Sequence, residues 1–411
     1  MNASAQPGAA PAVPARVFLV VAAAAAVLMV TMGARQSLGL FVAPIQDSSG
    51  LGLAAISLAL AVGQLMWGVA QPIAGAIADR HGPARVLAGG IVILALGSAV
   101  TPFMGGTFGF IVSLGLLSAI GSGAGSFAVL IGAAAQHLTP QQRGQAAGVI
   151  NAGGSFGQFV FAPLLQKLIA LLGWAGAMWS LAAITLASLP LVRPLRGMPR
   201  AAPAVGAPAE LTLRQSVAQA MGDRSYLLLH AGFFTCGFHI AFLVTHLPGE
   251  VALCGLSPQV AGWSLAIIGL SNIVGSLAAG WATARVRSKY ILAWMYASRA
   301  LLIVLYLLAP PTPLTFYLFA AGLGATWLAT VPPTAGIVGK LYGPRYLATL
   351  FGLTLLSHQV GGFFGAFLGG LAMTRYGNYD LMWYADIALA LFAALCNLPI
   401  REARMVRVQP A

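Results

Sequence analysis

Arg35 is the residue of this sequence that most clearly predicts a chemical role. It follows an almost wholly apolar run from Val17 to Ala34, and the chain is apolar again from Leu38 to Ile45. A cation within a membrane is costly, so it normally faces a polar cavity or a partner. Its planar guanidinium fork suits a carboxylate. The position therefore predicts an anion site, although a structural bond to helix-end carbonyls or to the fifth helix stays open.

Two histidines in apolar segments of the second half, His239 and His358, are candidates for proton coupling. Histidine can bind or release a proton near neutral pH, and a purely packing role is the alternative for each. We expect either His358 or its neighbour Gln359 to face a pathway, and the sequence does not say which. Weaker candidates for substrate binding are the remaining polar or aromatic groups within apolar runs: Gln64, Trp67, Asn151, Gln158 and Asn272.

A second intramembrane cation, Arg299, has a structural interpretation. Asp386 is the only acidic residue that the apolar runs place inside a span, because the other seven acids fall in predicted loops or tails. A pair between Arg299 and Asp386 would neutralise both charges. We therefore predict a structural ion pair between the ninth and twelfth helices.

The composition is that of a membrane protein. Only 7% of residues are charged and 59% are hydrophobic, whereas soluble domains carry about 25% charged residues. The net charge of +13 does not indicate nucleic acid, because the basic residues lie in short loops between apolar runs. No nucleophile, phosphate-loop or metal-ligand pattern is present, so we predict neither an enzyme nor a metal or cofactor site.

Hydropathy predicts an all-α membrane protein with twelve transmembrane helices, since a span needs about 20 apolar residues. The expected organisation is a cytoplasmic tail (1–16), a six-helix bundle (17–192), a linker (193–225), a second six-helix bundle (226–400) and a tail (401–411). The predicted helices are 17–44, 53–78, 84–103, 107–136, 144–172, 174–192, 226–248, 258–283, 289–309, 313–339, 346–373 and 381–400.

The distribution of basic residues predicts the orientation. Of the 21 lysines and arginines, only Lys167 and Arg375 fall in the outer loops, and Arg35 and Arg299 lie within spans. The other seventeen lie on the side of the termini and the linker. Basic loops face the cytoplasm, so both termini are predicted there.

An internal repeat relates the two halves. Thr31, Gly33, Arg35 and Pro44 match Thr235, Gly237, His239 and Pro248 at a constant offset of 204 positions, and Gly157 matches Gly361 at the same offset. One register across distant helices indicates a duplicated six-helix unit, which is typical of secondary transporters with a site between the halves. Pseudo-symmetry would place His239 opposite Arg35.

The loop G-A-I-A-D-R-H-G-P-A-R, from Gly75 to Arg85, strongly resembles the signature of the major facilitator superfamily. The resemblance implies two pseudo-symmetric six-helix bundles and a conformational-switch loop beside the end of the eleventh helix. Its residues would be Gly75, Asp79, Arg80, Gly82 and Arg85. In the second copy, from Gly280 to Lys289, Ala284 stands in place of the acid, so the switch is assigned to the first copy.

A narrower resemblance is to the bacterial monocarboxylate-porter and oxalate/formate-exchanger group. It rests on G-A-R-Q-S-L-G-L-F-V-A-P-I (Gly33 to Ile45) and S-H-Q-V-G-G-F-F-G-A-F-L-G-G (Ser357 to Gly370). Many members of that group carry a substrate-binding basic residue on the eighth helix, where this chain offers only Asn272. The group implies a carrier of small organic anions.

These features lead to one expected function and two alternatives. We expect a monomeric secondary transporter of the bacterial inner membrane that moves a small organic anion with a proton or a counter-anion. The resemblance implies that this anion is a monocarboxylate. An exporter of hydrophobic compounds and a non-transporting sensor on the same scaffold are the alternatives. Besides the substrate and its coupling ion, the expected partner is the lipid bilayer. We do not expect binding to nucleic acid.

Overall fold

The computed structural model describes residues 15–135, 137–138, 140–196, 212–283, 285–342 and 347–402. The side chains of Asp79 and Arg80 are not among those described. The described residues form helices joined by short turns, and the predicted all-α fold is confirmed. The central part of the linker and most of both tails lie outside these ranges.

Among the described residues, the helices follow the predicted order of twelve spans. The first half contains α1 (Ala15–Gln36), α2 (Leu53–His81), α3 (Pro83–Val100), α4 (four short pieces from Gly106 to Ala135), and α5 and α6 (within Pro140–Ala187). The second half contains α7 (Arg224–Leu253), α8 (Pro258–Thr283), α9 (Ser288–Leu308), α10 (Pro313–Thr326, then Leu328–Thr330 and Val331–Tyr342), α11 (Leu347–Tyr376) and α12 (Asp380–Asn397).

The count of twelve depends on Gly173. Eleven segments of the described chain are long and apolar enough to cross a membrane, and one of them, Gly148–Leu195, is 48 residues long. Gly173 interrupts it with φ 70° and ψ 172°, a conformation that favours glycine. The long segment is therefore two helices, α5 before Gly173 and α6 after it.

One helix end and one segment of the linker differ from the predictions. The helix α7 continues through Pro248 to Leu253, so Glu250, predicted in an outer loop, lies in its last turn and accepts a hydrogen bond from Tyr306 (2.9 Å). In the predicted linker, Leu213–Met221 forms a short helix with a capping box between Thr212 and Gln215. Capping satisfies backbone N–H groups that would otherwise have no partner.

Small residues allow the helices of each bundle to pack closely, as is usual in membranes. A Cβ added to Gly157 of α5 would lie 2.1 Å from the Met29 carbonyl oxygen of α1, and one added to Gly361 of α11 would lie 2.0 Å from that of Phe234 on α7. These two glycines are the pair related by the offset of 204. The same kind of helix contact therefore occurs in both halves.

The two bundles meet tightly at the end of the molecule opposite the linker. A Cβ added to Gly39, after α1, would lie 2.0 Å from the Val244 carbonyl oxygen of α7, and one added to Gly370 of α11 would lie 2.2 Å from the Ser57 hydroxyl of α2. Towards the linker end, Gly148 and Gly352 meet no described atom within 4 Å. The structure is therefore closed at the end opposite the linker.

Candidate substrate-binding site

Arg35 lies where α1 stops being a regular helix. The helix ends at Gln36 and is followed by a 3-10 turn, Leu38–Phe41. The guanidinium donates a hydrogen bond to the side-chain oxygen of Gln64 on α2, and its carbon lies 4.1 Å from the centre of the Trp67 ring. Gln64 and Trp67 are three residues apart and share one face of α2. The structure thus brings three of the predicted site residues together.

No acidic side chain among the described residues neutralises the charge of Arg35. Within the described ranges its polar partner is the neutral amide of Gln64, and the Trp67 ring adds a cation–π contact that stabilises the cation without cancelling its charge. The predicted structural alternatives, helix-end carbonyls or a side chain of α5, are not the partners observed. A cation held this way can accept an anion.

A small cavity adjoins Arg35 and Gln64. Its volume is about 30 Å³, and its walls include Ser98, Ser118 and Ser122 on one side and Val244 of α7 on the other. The three serine hydroxyls donate to backbone carbonyls of their own helices. This space holds about one or two water molecules, so an organic anion requires the helices to separate.

Of the neighbouring pair on α11, Gln359 is the residue that meets the first bundle. A Cβ added to Gly68 of α2 would lie 2.6 Å from Cγ of Gln359, one turn from Gln64. His358 is buried in the second bundle, where its ring centre lies 5.0 Å from that of Phe233. The two side chains are joined by a hydrogen bond of 3.0 Å.

Pseudo-symmetry predicted that His239 lies opposite Arg35, but the structure places it elsewhere. It is 1% exposed and its Nδ1 is hydrogen-bonded to Asp386 of α12. The part of α7 that reaches the cavity beside Arg35 is Val244 and Thr245, more than one turn further along. The offset of 204 matched positions in sequence, but the α7 side chain at that position turns into its own bundle.

The predicted Arg299–Asp386 pair is wrong. The Arg299 guanidinium donates to the backbone oxygens of Thr326 and Trp327 (the latter 2.7 Å) and approaches Cys236 Sγ at 3.3 Å. Those carbonyls are available because α10 breaks at Trp327, and a helix C-terminus attracts cations. The sequence signal for this break was Pro332–Pro333, since proline cannot donate a backbone hydrogen bond and disfavours helix before it.

Two other candidates lie between the bundles, away from the cavity beside Arg35. Asn272 of α8 donates to Ser155 of α5 (2.8 Å) and accepts from the Leu328 backbone N–H (2.9 Å). Gln158 of α5 is fully buried at the same contact, and its amide atoms have no hydrogen-bond partner among the described residues. Asn151, one turn before Ser155, is half-buried. We assign the first two to the α5–α8 contact.

The switch loop is only partly described. Gly82 joins α2 to α3 with φ 87°, and its N–H donates to the Ala78 carbonyl. Arg85 lies exposed in the first turn of α3, and Gly75 lies in the linker half of α2. The expected contact of Asp79 and Arg80 with the end of α11 concerns side chains outside the described set.

Paired helix bundles around an intramembrane cation are the architecture of a membrane transporter, and comparison with known proteins agrees. The sequence profile of the Major Facilitator Superfamily matches residues 24–253 and 252–411. The chain belongs to this superfamily, whose members are transporters and not enzymes.

The individual relatives have low sequence identity to this chain. Monocarboxylate transporter 13 of Rattus norvegicus is 28% identical over 377 residues, covering 87% of this chain and 82% of the relative. The oxalate:formate antiporter of Oxalobacter formigenes is 23% identical over 390 residues, covering 93% and 92%. Among solved structures, a D-xylose-proton symporter superposes with a TM-score of 0.72 at 15% identity, covering 94% of this chain and 98% of that one, which supports the fold alone.

Proposed function

We propose that this protein moves a small organic anion, a monocarboxylate, across the bacterial inner membrane by alternating access. The observation that carries the proposal is Arg35, an intramembrane cation whose described partners are an amide and an aromatic ring. A carboxylate would supply the missing counter-charge through two parallel hydrogen bonds. Relatives named for monocarboxylate and for oxalate and formate transport support this choice of substrate class.

Alternating access follows from the positions of the contacts between bundles. The bundles are in contact around Gly39 and Gly370, at the end opposite the linker. The excess of basic residues favours a cytoplasmic linker end, so the closed end would face the periplasm. Opening that end would separate α1 from α7 and enlarge the cavity beside Arg35.

Transport would combine the anion with a proton or exchange it for a second anion. The carrier would act as a monomer, since each chain contains both bundles and the site between them. An exporter of hydrophobic compounds is the competing function, and a fungal relative, the Fujikurins efflux protein, is 26% identical over 214 residues. The two functions differ in whether transport needs the charge of Arg35.

The test is uptake of labelled monocarboxylates by proteoliposomes containing Arg35→Gln, Arg35→Lys or the matched control Arg375→Gln. Gln removes the charge, so we expect uptake to be lost. Lys keeps the charge without the planar fork, so we expect weaker binding. Arg375 is an exposed cation in the last turn of α11, and its variant should behave like the wild type. Wild-type uptake by Arg35→Gln would exclude the anion site.

A further inference from the structure

Asp386 and His239 form a buried dyad inside the second bundle. Asp386 is fully buried and His239 is 1% exposed, and the two side chains are joined through Nδ1 of the histidine. Both residues keep one polar atom, His239 Nε2 and Asp386 Oδ1, without a hydrogen-bond partner among the described residues. Orphaned polar atoms are rare in a buried site and call for an explanation.

Among the described residues, one fixed charge lies near the dyad. The guanidinium of Arg299, on α9, is held by the Thr326 and Trp327 carbonyls, and the Trp327 ring centre lies 6.1 Å from that of His239. Cys236 lies one turn before His239 and contacts Arg299. Among the described residues, two other titratable groups reach this cluster: the Tyr296 ring of α9, whose centre lies 5.3 Å from the guanidinium carbon of Arg299, and His358 of α11, which lies close to Cys236.

The net charge of this cluster depends on whether the dyad holds an added proton. With Arg299 protonated, Asp386 ionised and His239 neutral, the cluster has no net charge. One added proton, on either member of the dyad, gives it a charge of +1. In a membrane interior such a change is costly unless another charge compensates for it.

An anion at Arg35 provides that compensation. Without a ligand, Arg35 adds one positive charge to the interior of the first bundle. A bound carboxylate reduces the net charge of this site to zero. The carrier with both anion and proton therefore has the same total charge as the empty carrier. A carrier holding only one of them differs by one charge, which would disfavour its passage between the two open states.

From this arrangement we propose that the His239–Asp386 dyad is the binding site of the transported proton, separate from the anion site at Arg35. This inference rests on the proposed anion transport. It places the coupling proton in the packed interior of the second bundle, between α7 and α12, and gives a role to the two orphaned atoms. Symport of one proton with one monocarboxylate is then electroneutral.

The helix α7 connects the dyad to the anion site. His239 lies on the same helix as Val244 and Thr245, which form the far wall of the cavity beside Arg35. The Val244 carbonyl is also the atom against which Gly39 packs at the closed end. Protonation changes the bond between α7 and α12 at His239, so it can alter how α7 packs against α1.

The test separates proton coupling from anion exchange in the same proteoliposomes. A pH gradient of one unit corresponds to about 1.4 kcal/mol, so one-to-one symport should concentrate a monocarboxylate about tenfold. We expect Asp386→Asn, which gives the cluster the fixed charge of its protonated state, to lose this accumulation while still exchanging internal for external anion at equal pH. His239→Gln, in which Asp386 loses its described partner, should accumulate less anion than the wild type. The matched control is His246→Gln, which changes another buried histidine of α7 that bonds the Ala366 carbonyl and should still accumulate anion about tenfold.

Each outcome decides between the two proposals. Tenfold accumulation by Asp386→Asn would overturn the dyad as proton site, while loss of accumulation with retained exchange supports it. Loss of exchange in Arg35→Gln supports the anion site. Loss of both accumulation and exchange in folded Asp386→Asn protein would overturn the dyad as a proton site separate from the anion site. If neither dyad variant can be reconstituted, wild-type protein in weakly buffered detergent is titrated with carboxylate. Uptake of a proton on binding is expected, and its absence overturns the inference.

Discussion

At the scale of single residues, the two intramembrane arginines are held in different ways. Arg35 has a side-chain amide and an aromatic ring as described partners, and it adjoins a cavity. Arg299 is 1% exposed and is held by two backbone carbonyls. The first arrangement leaves a charge available for a ligand, whereas the second uses the charge to hold a broken helix together.

Arg299→Leu should destabilise the protein, and adding Asp386→Leu should not restore it. The substitution leaves the Thr326 and Trp327 carbonyls without their donor, and each unsatisfied buried group costs about 1–3 kcal/mol. The measurement is thermal unfolding of the purified protein in detergent, with Arg375→Leu as the exposed control. Recovery of wild-type stability in the double variant would show that Arg299 and Asp386 compensate for each other after all.

At the scale of helices, glycines determine where the two bundles can touch. Gly39 lies in the 3-10 turn that follows α1, and the position of its missing side chain is occupied by the Val244 carbonyl of α7. Gly52, at the start of α2 near the same end, has no described atom within 4 Å of an added Cβ. Gly39 therefore offers a test of the contact between the two bundles, and Gly52 is the matched control.

Gly39→Ala should open the end opposite the linker, because its Cβ would lie 2.0 Å from the Val244 oxygen and the helices would have to separate. Gly52→Ala should have no such effect. The measurement is the distance between spin labels at Ser48 and Ser257, both exposed, in protein lacking its three native cysteines. We expect a longer distance in Gly39→Ala alone, and an unchanged distance would mean that α1 and α7 adapt locally.

At the scale of the whole molecule, hydropathy predicts the membrane spans and the distribution of charge predicts their orientation. Apolar segments predict twelve helices in the membrane, and the basic residues outside them concentrate at one end, which is the pattern expected of cytoplasmic loops. The linker joins the bundles at that end, so its position relative to the membrane defines the orientation of the site and of the closed end.

A single cysteine at Ala204 in the linker should resist an impermeant thiol reagent added to intact cells, whereas one at Ser257, at the opposite end, should react. The expectation rests on seventeen basic residues on the linker side against two on the other. Both variants need a background without the native cysteines and a permeabilised sample in which both sites react. Labelling of Ala204→Cys in intact cells would reverse the orientation.

The properties that depend on local composition could be predicted before any tertiary contact was known. The all-α membrane fold, the order of twelve helices and an intramembrane cation at Arg35 follow from runs of apolar side chains, which sum over a segment whatever it later contacts. The superfamily could also be recognised from the loop Gly75–Arg85, since this is a contiguous motif, and the profile match confirmed it.

Only the tertiary structure decided which buried polar groups meet. Asp386 was expected to bind Arg299 because both were buried charges of opposite sign, but it binds His239, while a break in α10 supplies carbonyls to Arg299. The rotation of a helix about its axis decides which face each side chain occupies. Successive residues of a helix point in directions about 100° apart. Hydropathy does not record that rotation in helices that are apolar on every face, so these pairings depend on long-range packing.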